Sequence, residues 1–138
     1  MRPSRPSAIA FAVITVALLL GAVASAHHSR AGYDSAPGKL VTNNGVVSNV
    51  IWRNPHVFVV WDVKDSSGSV VKWTGELSSP TTMISEGMSR DTFKDGDTIT
   101  ATFMPAKAGT PHGLLIKVVR PDGKVVIDLS ERRNLLEQ

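Results

Sequence analysis

Cysteine is absent from this chain of 138 residues. The absence excludes disulfide bonds, thiolate metal ligands and a cysteine nucleophile. The sequence also lacks a Gly-x-Ser-x-Gly elbow and a glycine-rich phosphate loop. We therefore assign no catalytic residues, and an enzyme is the class that the sequence favours least.

A strong net charge is also missing. The chain has 15 basic and 12 acidic residues, but Arg2 and Arg5 precede an apolar run that resembles a secretory leader. Without those two arginines the net charge is only about +1, and no basic stripe is present. We therefore expect no nucleic-acid partner.

The first residues have the pattern of a cleavable signal peptide. The apolar run covers residues 8–23, and Ala24-Ser25-Ala26 is a small-residue cleavage site. An uncleaved membrane anchor is the alternative, since the run is nearly long enough to span a bilayer. We favour cleavage after Ala26, which predicts a periplasmic protein beginning at His27 with no stable membrane insertion.

Three apolar runs rich in β-branched and aromatic residues follow, separated by Asn54-Pro55 and by the turn sequence 65–68. They predict an antiparallel meander in which Trp61 pairs with Trp73 and both face the core. Val57 then lies opposite Leu77 on the core side. The other face of the same strands holds His56, Phe58 and Glu76, with His56 diagonal to Glu76.

The remaining elements suggest a small barrel. We expect a long first strand, kinked at residues 43–45, and after the meander a short helix. Ser79 is its predicted N-cap and Gly87 its end, and Met83, Ile84 and Met88 would plug one end of the barrel. Strands follow at 98–104, 114–119 and 125–129.

This order predicts a mainly β fold: a small OB-like antiparallel barrel of five or six strands with one short helix between strands three and four. A generic barrel or sandwich is the alternative. The predicted organisation is a signal peptide at 1–26, an extended N-terminal arm at 27–38 packing through Tyr33, a β-barrel domain at 39–129 and a C-terminal tail at 130–138.

Several short segments resemble the DUF6152 family of small exported bacterial proteins. They are Ala26-His27-His28-Ser29, Trp52-Arg53-Asn54-Pro55-His56-Val57, Trp73-Thr74-Gly75-Glu76, Gly87-Met88-Ser89-Arg90-Asp91 and Lys94-Asp95-Gly96-Asp97. The resemblance covers nearly all of the mature chain. It implies a periplasmic, mostly β domain and supplies no activity.

Histidines are the candidate ligand-binding residues. Cleavage after Ala26 would place a free amine beside His27 and His28, a strong ligand set for Cu(II). A polar, solvated terminus is the alternative. His56 is held behind a proline turn, where it could serve only to bond the turn backbone.

Two further residues could join His56. Glu76 could accept a hydrogen bond from His56 or ligate a metal, or could simply be a solvated strand residue. His112 lies in the loop between strands four and five, which flanks the ligand face of OB-type barrels. Trp52, Asn54 and Phe58 are the candidate ligand-binding residues beside them. Trp52 is first of all a core or rim aromatic, and it could line a pocket with Phe58.

We therefore expect a periplasmic binding module that holds a metal ion, preferably copper, or a small ligand through histidines on the barrel face. The alternative is a non-catalytic structural or interaction domain, accessory to an envelope complex and having an envelope protein as its partner.

Overall fold

The computed structural model describes residues 30–131. The predicted signal peptide, His27, His28 and all but the first residues of the predicted tail lie outside the described residues. The elements are β1 (Val41–Trp52), β2 (Val57–Lys64), β3 (Val70–Glu76), α1 (Pro80–Ser85), β4 (Thr98–Pro105), β5 (His112–Val119) and β6 (Val125–Asp128). Within residues 30–131, no helix has the length and apolar character needed to cross a bilayer.

The strands form a closed five-stranded barrel with one additional strand. The sheet order is β3-β2-β1-β4-β5-β6, and a further pairing joins β3 to β5. Neighbouring strands pair antiparallel except at this closing contact, where β3 and β5 run parallel. The prediction of a small OB-like barrel with a short helix between strands three and four is confirmed.

The long first strand belongs to both halves of the barrel. Residues 41–46 of β1 pair with β4, and residues 46–52 pair with β2. We expected a kink at residues 43–45, but the register shift lies between Val47 and Asn49. Gly45 instead allows β1 to approach β2 closely, because a Cβ there would lie 2.6 Å from Trp61 Cδ1 and 2.6 Å from the Asp62 carbonyl oxygen.

The predicted register of the meander is confirmed. Trp61 pairs with Trp73 across β2 and β3, and their rings stack at 6.4 Å between centroids. The Leu77 amide donates to the Val57 carbonyl at 2.8 Å, and both side chains are buried. The alternation of side chains along both strands therefore separates a core face from an outer face.

Trp61 fills the centre of the barrel. It is fully buried, its ring packs on Phe103 at 5.7 Å, and its indole N–H donates to Asn43 Oδ1 at 2.9 Å. That bond satisfies the one polar atom of an otherwise apolar side chain. The other fully buried large side chains are Phe103, Leu77, Met83, Ile99, Leu115, Val47, Val57, Val59 and Val118.

The helix covers part of the core as predicted, with one exception. Ser79 caps it by accepting a hydrogen bond from the Thr82 amide at 3.3 Å, and Gly87 follows its end with φ of 81°. Met83 and Met88 are buried in the core cluster. Ile84 was expected beside them but is 61% exposed, because it lies on the solvent side of a helix only six residues long.

The segment before β1 packs against the outside of the barrel through Tyr33, as predicted. Tyr33 forms a β-bridge with Ala106, and the Asp34 amide donates to the Pro105 carbonyl at 2.9 Å. Tyr33 is only 6% exposed. It forms a second small apolar cluster with Met104 and Ile116, which fixes this segment beside the ends of β4 and β5.

We expect Gly75→Ala to lower the free energy of unfolding by about 1–3 kcal/mol, the usual cost of overpacking a core. A Cβ at Gly75 would lie 2.5 Å from Leu115 Cγ and 2.8 Å from Trp61 Cζ3. Urea unfolding measures the loss. Gly32→Ala is the matched control, because no atom lies within 4 Å of its added Cβ. Equal losses in the two variants would contradict the prediction.

Candidate functional site

The candidate site lies on the outer face of β2, β3 and β5. The register opposes Phe58 to Glu76 across β2 and β3, and opposes Thr74 to His112 across the parallel pair β3 and β5. Side chains opposed in this way project from the same face of a sheet. Closing the barrel therefore brings His112 beside Glu76, although 36 positions separate them in the chain.

Glu76 binds His56 through one carboxylate oxygen. His56 Nδ1 lies 2.6 Å from Glu76 Oε1. The cis peptide bond Asn54-Pro55 forms the turn that leads into β2, directly before His56. The Glu76 side chain is 13% exposed, whereas the His56 side chain is 33% exposed, so the carboxylate is the less solvent-exposed partner of the pair. The predicted diagonal contact between His56 and Glu76 is present.

The second carboxylate oxygen binds Tyr33. The Tyr33 hydroxyl lies 2.5 Å from Glu76 Oε2 and 2.7 Å from His112 Nε2, whereas His112 Nε2 lies 3.7 Å from Glu76 Oε2. Tyr33 thus stands between the carboxylate and the second histidine. His56, Glu76, Tyr33 and His112 form a continuous chain of contacts, which we call the Glu76 cluster.

The distances assign the hydrogens of the Glu76 cluster. An ionised carboxylate can only accept, so His56 Nδ1 donates to Oε1 and the Tyr33 hydroxyl donates to Oε2. A hydroxyl has one hydrogen, so His112 Nε2 must donate to the Tyr33 oxygen. In the neutral rings, His56 Nε2 and His112 Nδ1 therefore carry lone pairs. Within residues 30–131, neither nitrogen has a protein partner.

Phe58 supplies an aromatic surface between the two histidines. Its ring centroid lies 6.5 Å from that of His56, in an edge-on arrangement, and 6.3 Å from that of His112. The Tyr33 ring stacks on the His112 ring, with centroids 5.7 Å apart and an interplanar angle of 17°. The predicted placement of Phe58 beside the histidines agrees with these contacts.

Tyr33 is held in its protonated form. Burial raises the pKa of Tyr33 well above its ordinary value, and the hydrogen bond to Glu76 and the negative charge of that carboxylate raise the pKa further. A tyrosinate would leave the carboxylate facing a second negative charge. Over the physiological range, Tyr33 therefore remains a hydrogen-bond donor to Glu76.

Trp52 packs against the core, as first expected for it, and does not share a pocket with Phe58. Trp52 pairs with Val57 in the β1–β2 register, and Val57 is fully buried in the core. Trp52 packs against that core cluster, whereas Phe58 projects from the opposite face of β2. Asn54 is exposed in the turn before β2, and its role in ligand binding stays a prediction.

The metal predictions have different outcomes. His27 and His28 lie outside the described residues. Among residues 30–131, no group of three or more histidine, cysteine, aspartate or glutamate side chains is arranged to hold a metal ion. His56, Glu76 and His112 do come together, but the carboxylate and the Tyr33 hydroxyl bond the ring nitrogens that face inward.

Sequence reasoning placed Tyr33 in a packing role and missed its bonds to the cluster. The available signal was its isolation, because Tyr33 is the only tyrosine of the chain and the only large side chain in a polar segment. Local patterns indicated burial but could not show which strand the segment would cross.

One comparison with known proteins gives a match. The sequence model of DUF6152, described as a family of unknown function, matches residues 15–117. The chain belongs to the DUF6152 family. This match confirms the resemblance stated from short motifs. The matched range also includes every residue of the Glu76 cluster. No curated protein and no solved structure matches this DUF6152 protein.

We expect the folded DUF6152 protein to form tyrosinate only well above pH about 10, the ordinary value for tyrosine. Because the folded-state pKa of Tyr33 is raised, its contribution to stability is complete below the unfolded-state pKa. That contribution is lost as the pH rises through the folded-state pKa. Tyrosinate absorbance reports Tyr33 alone, since the chain has one tyrosine.

Tyr33→Phe is the control for the alkaline transition. It should remove the tyrosinate signal and reduce the loss of stability at alkaline pH, as measured by thermal unfolding across a pH series. Folded wild-type protein that forms tyrosinate at the ordinary pH of free tyrosine would contradict the hydrogen bond between Tyr33 and Glu76.

Proposed function

We propose that this chain is an exported, periplasmic binding module whose ligand site is the outer face of the barrel around Glu76. The leader-like residues 1–26 support export. The core is filled by Trp61 and its neighbours, so a ligand has to bind outside the barrel. In OB-type barrels the face of strands two and three is the usual ligand face, and His56, Phe58 and Glu76 occupy it.

One observation carries this proposal: the Glu76 cluster leaves two ring nitrogens unbonded on an exposed face. The His56 and His112 side chains are 33% and 31% exposed, whereas the carboxylate that orients them is 13% exposed. Partly buried polar atoms hold the rings, and the more exposed ring atoms are left to meet a ligand, an arrangement typical of a preorganised binding site.

Copper is the metal that we propose. A histidine whose inner nitrogen is bonded to a carboxylate is a common metal ligand, because the carboxylate fixes the tautomer and increases ring basicity. His56 has this arrangement, with Nε2 available. A separate set is the amine of a mature N-terminus with His27 and His28, which would favour Cu(II) over Zn(II) and Ni(II).

We expect mature protein beginning at His27 to bind one Cu(II) tightly, measured by calorimetric titration. One extra residue before His27 should weaken this binding sharply, because it removes the amine from chelation. Unchanged affinity would eliminate the N-terminal set.

The barrel face requires a second measurement. In a His27→Ala, His28→Ala background, we expect residual Cu(II) binding that His56→Ala abolishes and Arg90→Ala, at an exposed loop position, leaves unchanged. If His56→Ala changes neither Cu(II) binding nor thermal stability, His56 has no role beyond its turn.

The second candidate function is a non-catalytic accessory domain of an envelope complex. An open cleft of about 520 Å³ lies between β1, β2 and β3 and includes two exposed apolar side chains, Val46 and Val70. They are 45% and 56% exposed. This function predicts one stoichiometric partner, recovered from envelope extract with wild-type protein and lost with Val70→Glu. Equal recovery with both proteins would exclude the cleft as the contact.

A further inference from the structure

We infer that the outer face of the Glu76 cluster selects cations and rejects anions, because every hydrogen of the cluster is directed inward. This inference rests on the proposed function and specifies the ligand class of that same site. Its basis is the set of three contacts already described: His56 Nδ1 to Glu76 Oε1, Tyr33 hydroxyl to Glu76 Oε2 and His112 Nε2 to the Tyr33 oxygen.

The hydrogens of the cluster are fully assigned by these contacts. Neutral His56, neutral His112 and Tyr33 each have one polar side-chain hydrogen, and each hydrogen bonds to another member of the cluster. The atoms left for a ligand are His56 Nε2 and His112 Nδ1, which are acceptors. A metal ion, an ammonium group or another strong donor can use them, whereas an ionised carboxylate, which has no hydrogen to donate, cannot.

The net charge of the cluster and its aromatic contacts also favour a cation. With both rings neutral, the cluster carries the single negative charge of Glu76. Phe58 lies between the two rings and offers an aromatic surface on which a cation is stabilised. An anion in the same position would face a carboxylate of like charge with no donor to compensate.

Glu76→Gln tests the assignment because an amide has one donor end and one acceptor end. If its nitrogen faces His56, that ring must accept at Nδ1 and carry its hydrogen outward on Nε2. If its nitrogen faces Tyr33, the hydroxyl must donate to His112 Nε2, and His112 carries its hydrogen outward on Nδ1. When every hydrogen bond is kept, one outward nitrogen changes from acceptor to donor.

The experiment uses two probes of similar shape and opposite charge, benzylammonium and benzoate, at about pH 8, above the ordinary range of imidazole titration. Ring nitrogen chemical shifts of His56 and His112 report both tautomer and binding. For wild-type protein we expect outward nitrogens without hydrogen. We also expect benzylammonium to bind at least about tenfold more tightly than benzoate, since like-charge contacts cost several kcal/mol.

For Glu76→Gln we expect one outward nitrogen to carry a hydrogen and the preference for benzylammonium to be lost. Asp128→Asn is the charge-matched control, since it removes a carboxylate on β6 that pairs with Lys117 at 3.0 Å. It should keep the wild-type tautomers and preference.

The outcomes separate this inference from the proposed function. Tighter binding of benzoate to wild-type protein, or outward nitrogens that carry hydrogens, would overturn the inference and leave a ligand site on this face. If benzylammonium, benzoate and Cu(II) all leave both rings unperturbed, the proposed site itself fails. The tautomers of the wild-type rings decide the assignment even if Glu76→Gln does not fold.

Discussion

The parallel pairing of β3 with β5 is the contact on which the rest of the structure depends. It closes the barrel, and in the same register it opposes Gly75 to Gly113 and Thr74 to His112. The two glycines leave space for core side chains. A Cβ at Gly113 would lie 2.4 Å from Phe103 Cδ2, and a Cβ at Gly75 would meet Leu115 and Trp61. Glu76, directly after Gly75, and His112, directly before Gly113, project to the outer side and form the candidate site.

The Glu76 cluster joins three distant parts of the chain. The meander supplies His56 and Glu76, the closing strand supplies His112, and the segment before the first strand supplies Tyr33. A largely desolvated carboxylate needs partners for both oxygens, and here they come from His56, 20 positions earlier, and Tyr33, 43 positions earlier. The tertiary fold and the local chemistry therefore depend on each other, since loss of Tyr33 leaves Glu76 Oε2 without its hydrogen-bond donor and loss of His56 does the same to Oε1.

The β2–β3 hairpin and the ends of the helix depend on neighbouring residues in the sequence, and they could be predicted from the sequence. Alternation along β2 and β3, with the turn between them, fixed the Trp61–Trp73 pair and the contact of His56 with Glu76. Ser79 and Gly87 marked the two ends of the helix. The helix face was less certain, and Ile84 proved exposed, because a short helix has no extended periodic pattern to define its buried side.

Other features depend on contacts between distant segments. The β5 strand begins at His112 and not at Leu114, because pairing with β3 orders residues that read as loop. The register shift in β1 follows from its double partnership with β2 and β4. The choice between core and pocket for Trp52 stayed open because the break at Asn54-Pro55 hid the register between the first two strands. Tyr33 shows the same limit, since its partners are known only once the barrel has closed.

The packing of the barrel interior around Trp61 and Phe103 has an evolutionary consequence. Along β2 and β3, successive residues alternate between the core side, which determines whether the protein folds, and the outer side, on which we propose the ligand site. Specificity can therefore diverge by replacing every second residue, while the inward residues keep the scaffold intact. A protein of this size can acquire new recognition properties in this way without first enlarging its core.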